Sequence, residues 1–196
     1  NITRAPTVEI LDDQLFVGNP TQPPGSVRIY SLSELSKNQN FYGYNPAEPT
    51  TLLLETDLGV TQSSTPSFFG HTIKAYSDGT NKLLIIGAPH FSVFRNDSTA
   101  TGDMEIGAVY IYKYDDEQSS WVYKQRILPL GWENIPVEDG YGFEKLAIKF
   151  GYSFDFRFKE HGSSPQYKGI LIIGTPVLFF TVFSQDFSFI INELLY

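Results

Sequence analysis

Residues 83–89, Leu-Leu-Ile-Ile-Gly-Ala-Pro, form a short apolar run closed by Gly87-Ala88-Pro89, and Gly107-Ala-Val-Tyr-Ile-Tyr112 follows 20 residues after Gly87. Both halves of this pattern recur. Leu15-Phe-Val-Gly18-Asn-Pro20 and Leu171-Ile-Ile-Gly174-Thr-Pro176 repeat the first, and Gly25-Ser-Val-Arg-Ile-Tyr30 repeats the second. A third landmark is Phe-Gly, at Phe69-Gly70 and at Phe150-Gly151, upstream of the second and third Gly-x-Pro.

The spacings look irregular, 69 residues from Gly18 to Gly87 and 87 from Gly87 to Gly174, until the landmarks are compared segment by segment. The step from Gly-x-Pro to Gly-x-Val-x-Ile-Tyr is 7 residues in the first copy and 20 in the second, an insertion of 13. The step from Phe-Gly to Gly-x-Pro is 17 in the second copy and 23 in the third, an insertion of 6. Subtracting both insertions from 87 leaves 68, and subtracting 13 from the 81 between the Phe-Gly pairs also leaves 68. One unit of about 68 residues therefore accounts for every landmark.

Inside a unit the signals are those of short antiparallel strands. Val109-Tyr-Ile-Tyr112 and Trp121 to Ile127 are β-branched and aromatic, and Leu83 to Ile86 is an apolar run bounded by turn residues. Ser77 to Asn81, Asp115 to Ser120 and Pro129 to Gly142 supply the punctuation. The second unit is predicted to hold strands near 69–76, 83–88, 106–114 and 121–128, the four-stranded content of a propeller blade. A Gly ending a buried strand lets backbone approach backbone, and a Pro just beyond it cannot donate to the ladder. Gly-x-Pro also marks strand-to-turn junctions in any β-protein.

The ordered set Phe69-Gly70, Gly87-Ala88-Pro89 and Gly107 to Tyr112 resembles the FG-GAP repeat that builds the propeller of integrin α subunits. The second unit matches the motif literally; Phe150-Gly151 with Gly174 and Pro176, and Gly18 and Pro20 with Gly25 to Tyr30, match it more loosely. The expected fold is all-β, four-stranded antiparallel blades of an incomplete or larger FG-GAP β-propeller. The chain is a single region, 1–196, with approximate blades 1–68, 69–149 and 150–196. The last is expected to be incomplete, because only 45 residues follow Gly151 and no Gly-x-Val-x-Ile-Tyr follows Gly174. The tail from Val177 supplies substitute strands or the fold is cut there.

The resemblance implies calcium where a blade carries an Asp-x-Asp-x-Asp-Gly loop. Here the matching stretches, Ala75 to Lys82 and Asp155 to Glu160, lack three carboxylates and include a Lys or Arg. Asp78 and Asn81 are the nearest candidates, and Asp78-Gly79 reads more simply as a hairpin turn. No metal and no cofactor are expected.

Composition restricts the remaining classes. With 41% hydrophobic and 18% charged residues the chain has the material for a core, and its net charge of −8 disfavours a phosphate backbone as partner. Cysteine is absent. Asn1 to Arg4 shows no leader pattern, so a signal peptide is expected to be absent or already removed. The most apolar window, Gly169 to Phe183, is too short for a bilayer span and contains Pro176, so buried strands are expected there. His71, His90 and His161 show no metal spacing or adjacent carboxylate, and His71 lacks the Trp-Asp of a WD40 blade. No nucleophile elbow or phosphate-binding glycine loop occurs, and paired acids such as Asp115-Asp116 lie in predicted turns, so no catalytic residue is expected. Asn1 and Asn96 head N-glycosylation acceptors, Asn96 within the insertion from Phe91 to Glu105, which is expected to be an exposed loop.

The resemblance implies a non-catalytic adhesion or scaffold module, extracellular or at the cell surface. It would bind another protein, a cell-surface or matrix ligand, through loops on one face. Alternatives are accessory blades of a larger secreted lipase or carbohydrate-acting enzyme, or a unit that closes its propeller through further blades or a homo-oligomer. An open arc would leave apolar faces exposed, which favours association.

Overall fold

A computed structural model describes residues 6–21, 25–37, 48–55, 66–96, 101–130, 132, 148–158, 169–176, 179–185 and 188–193. The chain is all-β in character. Three four-stranded antiparallel sheets follow one another, each a meander in chain order. The first holds β1 (Val8–Leu11), β2 (Gln14–Asn19), β3 (Ser26–Ser31) and β4 (Thr51–Leu54). A six-residue helix, α1 (Leu32–Lys37), leaves β3 and starts on Ser31, whose Oγ accepts from the Glu34 N–H at 3.2 Å. Ser31-x-x-Glu34 has the spacing of a capping box.

The second sheet holds β5 (Thr72–Ser77), β6 (Lys82–Ala88), β9 (Ala108–Asp115) and β10 (Ser120–Ile127), and the third β11 (Ser153–Phe158), β12 (Gly169–Gly174), β13 (Phe179–Gln185) and β14 (Ser188–Glu193). The predicted strands of the second unit fall within a few residues of these bounds; Phe69 and Gly70 belong to the turn before β5. β13 pairs with β12 where β9 pairs with β6, although its sequence carries no Gly-x-Val-x-Ile-Tyr. The apolar window from Gly169 is thus shared by two strands. Among the described residues no helix is long and apolar enough to cross a membrane.

Register makes the three sheets superposable by residue. Val8 faces Val17, Ile73 faces Ile86 and Phe154 faces Ile173, each one step inside its Gly-x-Pro glycine. Gly18 is then opposite Val27, Gly87 opposite Val109 and Gly174 opposite Phe179. In each copy the strand ends at or before the Pro: Pro20, Pro89 and Pro176 lie beyond the last paired residue.

Successive sheets pack face to face, and their first strands lie side by side, β1 against β5 and β5 against β11. Phe16, Val27 and Ile29 of the first sheet meet Ile73, Leu84, Ile86 and Tyr110 of the second. Leu83, Ile85 and Val109, on its other face, meet Phe154, Leu171 and Ile173 of the third. The Phe-Gly turns enter these seams. Phe69 is fully buried in the first and Phe150 in the second, each burial contributing roughly 2–3 kcal/mol.

The two turns share one backbone shape. Phe68 and Lys149 have φ of 58° and 55°, Gly70 and Gly151 of 89° and 83°. The His71 N–H donates to the Phe68 carbonyl at 2.9 Å and the Tyr152 N–H to the Lys149 carbonyl at 3.1 Å. Glycine is required on both sides of each seam. A Cβ on Gly18 would stand 2.1 Å from the Gly70 oxygen, and one on Gly87 2.2 Å from the Gly151 oxygen. Gly25 and Gly107 leave the same room for the backbone of Phe69 and Phe150. Hydroxyls repeat as well: Thr7 Oγ1 donates to the His71 carbonyl at 2.6 Å, Thr72 Oγ1 to the Tyr152 carbonyl at 2.7 Å.

Gly87→Ala should therefore lower unfolding free energy by about 2–4 kcal/mol, since the added carbon meets backbone that has nowhere to go. Gly79, at φ 87° with nothing near its absent Cβ, is the control. Gly79→Ala carries only the left-handed strain of about 1–2 kcal/mol. Urea denaturation of both variants gives the comparison; equal losses would contradict the seam account.

Candidate functional site

The insertion from Phe91 to Glu105 is not a loop, contrary to its reading in the sequence. It is a hairpin, β7 (Ser92–Asn96) with β8 (Thr101–Glu105), in which Val93 faces Met104 and Phe94 faces Asp103. Alternation decides which side is buried. Met104 is fully buried and Val93 packs on the core between the first two sheets, whereas Phe94 points outward, 66% exposed. The hairpin base is fixed by Phe91, whose carbonyl accepts from the N–H groups of Ile106 and Gly107 at 3.0 and 2.9 Å. The Arg126 guanidinium lies over the Phe91 ring at 4.7 Å.

His90 Nδ1 lies 2.9 Å from Glu105 Oε2, so the fold gives His90 the carboxylate that its sequence neighbours lack. Its ring also meets Phe68 edge-on, and its N–H donates to the Ser67 carbonyl at 3.0 Å. His71 packs against Tyr152 across the second seam. His161 lies outside the described residues, as does Asn1. Asn96 closes β7, paired with Thr101.

Asp78 and Asn81 are turn residues. Asp78 Oδ1 accepts from the backbone N–H groups of Thr80 at 2.9 Å and Asn81 at 2.6 Å, and the Asn81 amide reaches Oδ2 at 3.2 Å. Slight burial acts to raise the Asp78 pKa, and the Asn81 and Thr80 donors outweigh it, leaving the carboxyl below its ordinary range. Its lone pairs are thus directed at its own turn. Among the described residues no group of three His, Asp or Glu is placed to hold a metal ion.

A polar cleft of 420 Å³ lies at the opposite end of the strands from the hairpin, lined by Asp12, Asp13, Gln14, Thr51, Lys82 and Tyr114 among others. Its charged groups are engaged with each other and with structure. Lys82 pairs with Asp12 at 2.8 Å, and Asp13 accepts from the N–H and hydroxyl of Ser33 at 2.8 Å each. Gln14 Oε1 accepts from Trp121 Nε1 at 2.9 Å, tying the first sheet to the second.

The most unusual titratable group was not singled out by sequence. Glu55 follows β4 and is only 2% exposed, inside the seam between the first two sheets. The hydroxyls of Ser67 and Tyr110 donate to its two oxygens, and the Phe69 N–H donates to Ser67 Oγ at 3.2 Å. Tyr110 also meets the Phe69 ring edge-on at 5.1 Å. One carboxyl thereby joins β4, β9 and the Phe-Gly turn. Burial pushes the Glu55 pKa above 4.5, outweighing the Ser67 and Tyr110 donors and the Arg126 charge, which favour the anion. Burial likewise raises the Tyr110 phenol. A sequence signal existed: Glu55 is the acid that closes the apolar run Leu52-Leu-Leu54, and Pro129 occupies its register position in the second sheet.

No protein-family model matches the chain, and no curated protein matches it.

A carboxyl whose folded pKa is raised binds its proton more tightly in the native state. Its stabilising contribution is present in full below the unfolded value and is lost as pH rises through the folded one. Glu55→Gln removes that loss. The stability of the variant relative to wild type should increase with pH above 4.5, by at most about 1.4 kcal/mol per pH unit within the titration window. Thermal or urea unfolding across pH 4 to 8 tests this; a difference that is flat with pH contradicts a raised Glu55.

Proposed function

We propose that this chain is a non-catalytic β-propeller module of FG-GAP type that binds another protein, an extracellular or cell-surface ligand, through the end of the sheets bearing the β7–β8 hairpin. The observation that carries the reading is the twofold recurrence of one seam. The same glycine contacts, the same left-handed turn and the same hydroxyl-to-carbonyl bond join sheet one to two and sheet two to three. Four-stranded sheets joined in succession by the same contacts, with first strands side by side, support a propeller-type arrangement. Strand ladders use the backbone polar groups in such an arrangement, and chemistry falls to the connections.

The hairpin suits a binding role. Its root is fixed by Phe91 and Met104 in the core, so Phe94 in β7 is held at little entropic cost, and with Asp103 beside it presents a large ring rimmed by charge. Removing 91–105 entirely would strip Phe91 and Met104 from the core, so the exposed Phe94 is the better probe. Phe94→Ser should reduce capture by the cognate matrix or cell-surface protein at least about tenfold while the melting temperature stays within about 2 °C of wild type. The readout is surface-plasmon binding against immobilised matrix proteins and receptor ectodomains. Capture by the wild type that survives Phe94→Ser unchanged removes the hairpin from the interface.

A further inference from the structure

The two seams are built alike, so a comparison position by position isolates what the first has added. Glu55, Ser67 and Tyr110 meet in the first seam. The same register positions in the second are held by Pro129, Ile148 and Phe180, residues with no ionisable or hydroxyl group. The same glycine approach and the same left-handed turn thus form at positions that supply no acid. Against apolar residues of similar volume a buried charge-bearing group is at best neutral for stability, so the seam as such does not call for Glu55. What sets the first seam apart is the hairpin, whose Val93 and Met104 pack into it.

The acid is wired to the hairpin root by two routes. Ser67, whose hydroxyl donates to Glu55, accepts the His90 N–H on its carbonyl at 3.0 Å, and His90 Nδ1 is 2.9 Å from Glu105 at the end of β8. Arg126, cross-strand partner of Tyr110, lies over the Phe91 ring at 4.7 Å, and the Phe91 carbonyl holds the N–H groups of Ile106 and Gly107. The groups facing Glu55 are therefore Tyr110 from β9, Arg126 from β10 and Ser67 from the turn, with the His90–Glu105 pair behind Ser67. Burial disfavours the anion and prevails over the two hydroxyl donors and the Arg126 charge, which favour it. We propose that the Glu55 cluster is a proton-operated latch on the root of the β7–β8 hairpin, closed while the carboxyl holds its proton and opening as it loses it. An opening that admits water to Glu55 returns the carboxyl to its ordinary range, so the open root binds the proton less tightly than the closed one. Linkage fixes the direction: the root stays closed below 4.5, and the open form gains population as pH rises from there through the folded value. As a control on ligand capture by Phe94 the latch rests on the protein-binding reading; as a property of the root it does not.

Amide hydrogen exchange of the whole chain, followed by nuclear magnetic resonance from about pH 4 to 8 and divided by the intrinsic exchange rates, tests the latch without a ligand. At Phe69, His90, Ile106 and Gly107 the corrected rate should rise by up to about tenfold per pH unit above 4.5, then level off once Glu55 has titrated in the closed form. The Tyr152 amide, bonded within the turn of the second seam, should stay flat. Glu55→Gln should flatten all four. Arg126→Gln, by removing the charge that favours the anion, should move the levelling-off point to higher pH, a shift that a merely structural arginine would not produce. Should Glu55→Gln fail to fold, carbon-13 titration of the Glu55 carboxyl in the wild type is the independent measure, and its midpoint should coincide with the levelling-off point. Corrected rates without pH dependence, a Tyr152 rate that climbs in step with the hairpin root, a dependence that survives Glu55→Gln and so belongs to the His90–Glu105 pair, or a carboxyl midpoint at or below 4.5 would each overturn the latch. Phe94→Ser leaves the exchange pattern in place, so failure of the hairpin as a binding surface and failure of the latch are separately visible.

Discussion

Backbone meets backbone at Gly18 and Gly70, and again at Gly87 and Gly151, at distances that leave no space for a single added carbon. Everything else in the array is arranged around that approach. Because the backbones touch there, Phe69 and Phe150 reach into the seams, the threonine hydroxyls reach the carbonyls of the next turn, and the apolar faces close on one another. A side chain at any of these glycines would wedge the sheets apart and weaken all of these contacts together.

The first seam carries an additional fastening that the second lacks. Glu55, carried by the first sheet, gathers the Tyr110 hydroxyl of the second sheet and the Ser67 hydroxyl beside the Phe-Gly turn at a buried point, whereas Pro129 occupies its place beside the second seam. A buried carboxyl with both oxygens satisfied is costly to desolvate and still more costly to leave unpaired, so it specifies one relative position of the sheets more than it adds stability. In the protein-binding reading, this fixes the root of the hairpin, since Ser67, His90 and Glu105 are linked to the same turn.

Legibility followed the range of the interaction. Four strands in the second unit, their turns and the role of Asp78 were readable because period-two patterning and Asp-Gly chemistry act over a few residues. In the third sheet the repeat motif was readable only as far as Gly174, and beyond it only apolar strand character was, because β13 pairs along the ladder of β12 without a motif of its own. The hairpin looked like a loop because its buried side is Val93 and Met104, two residues whose environment is provided by distant sheets. His90 seemed solitary because Glu105 comes to it through the hairpin's return.

By itself, then, the order of residues determined that a four-stranded unit recurs, where it is punctuated, and that its corners must be glycine; these follow from steric limits on φ and from strand alternation, which are local properties of the chain. Tertiary structure alone decided what those glycines touch, that Glu55 is buried and that the insertion folds back on the core. Those outcomes depend on residues tens of positions apart being brought within a few ångströms, and desolvation and steric exclusion act only once they are.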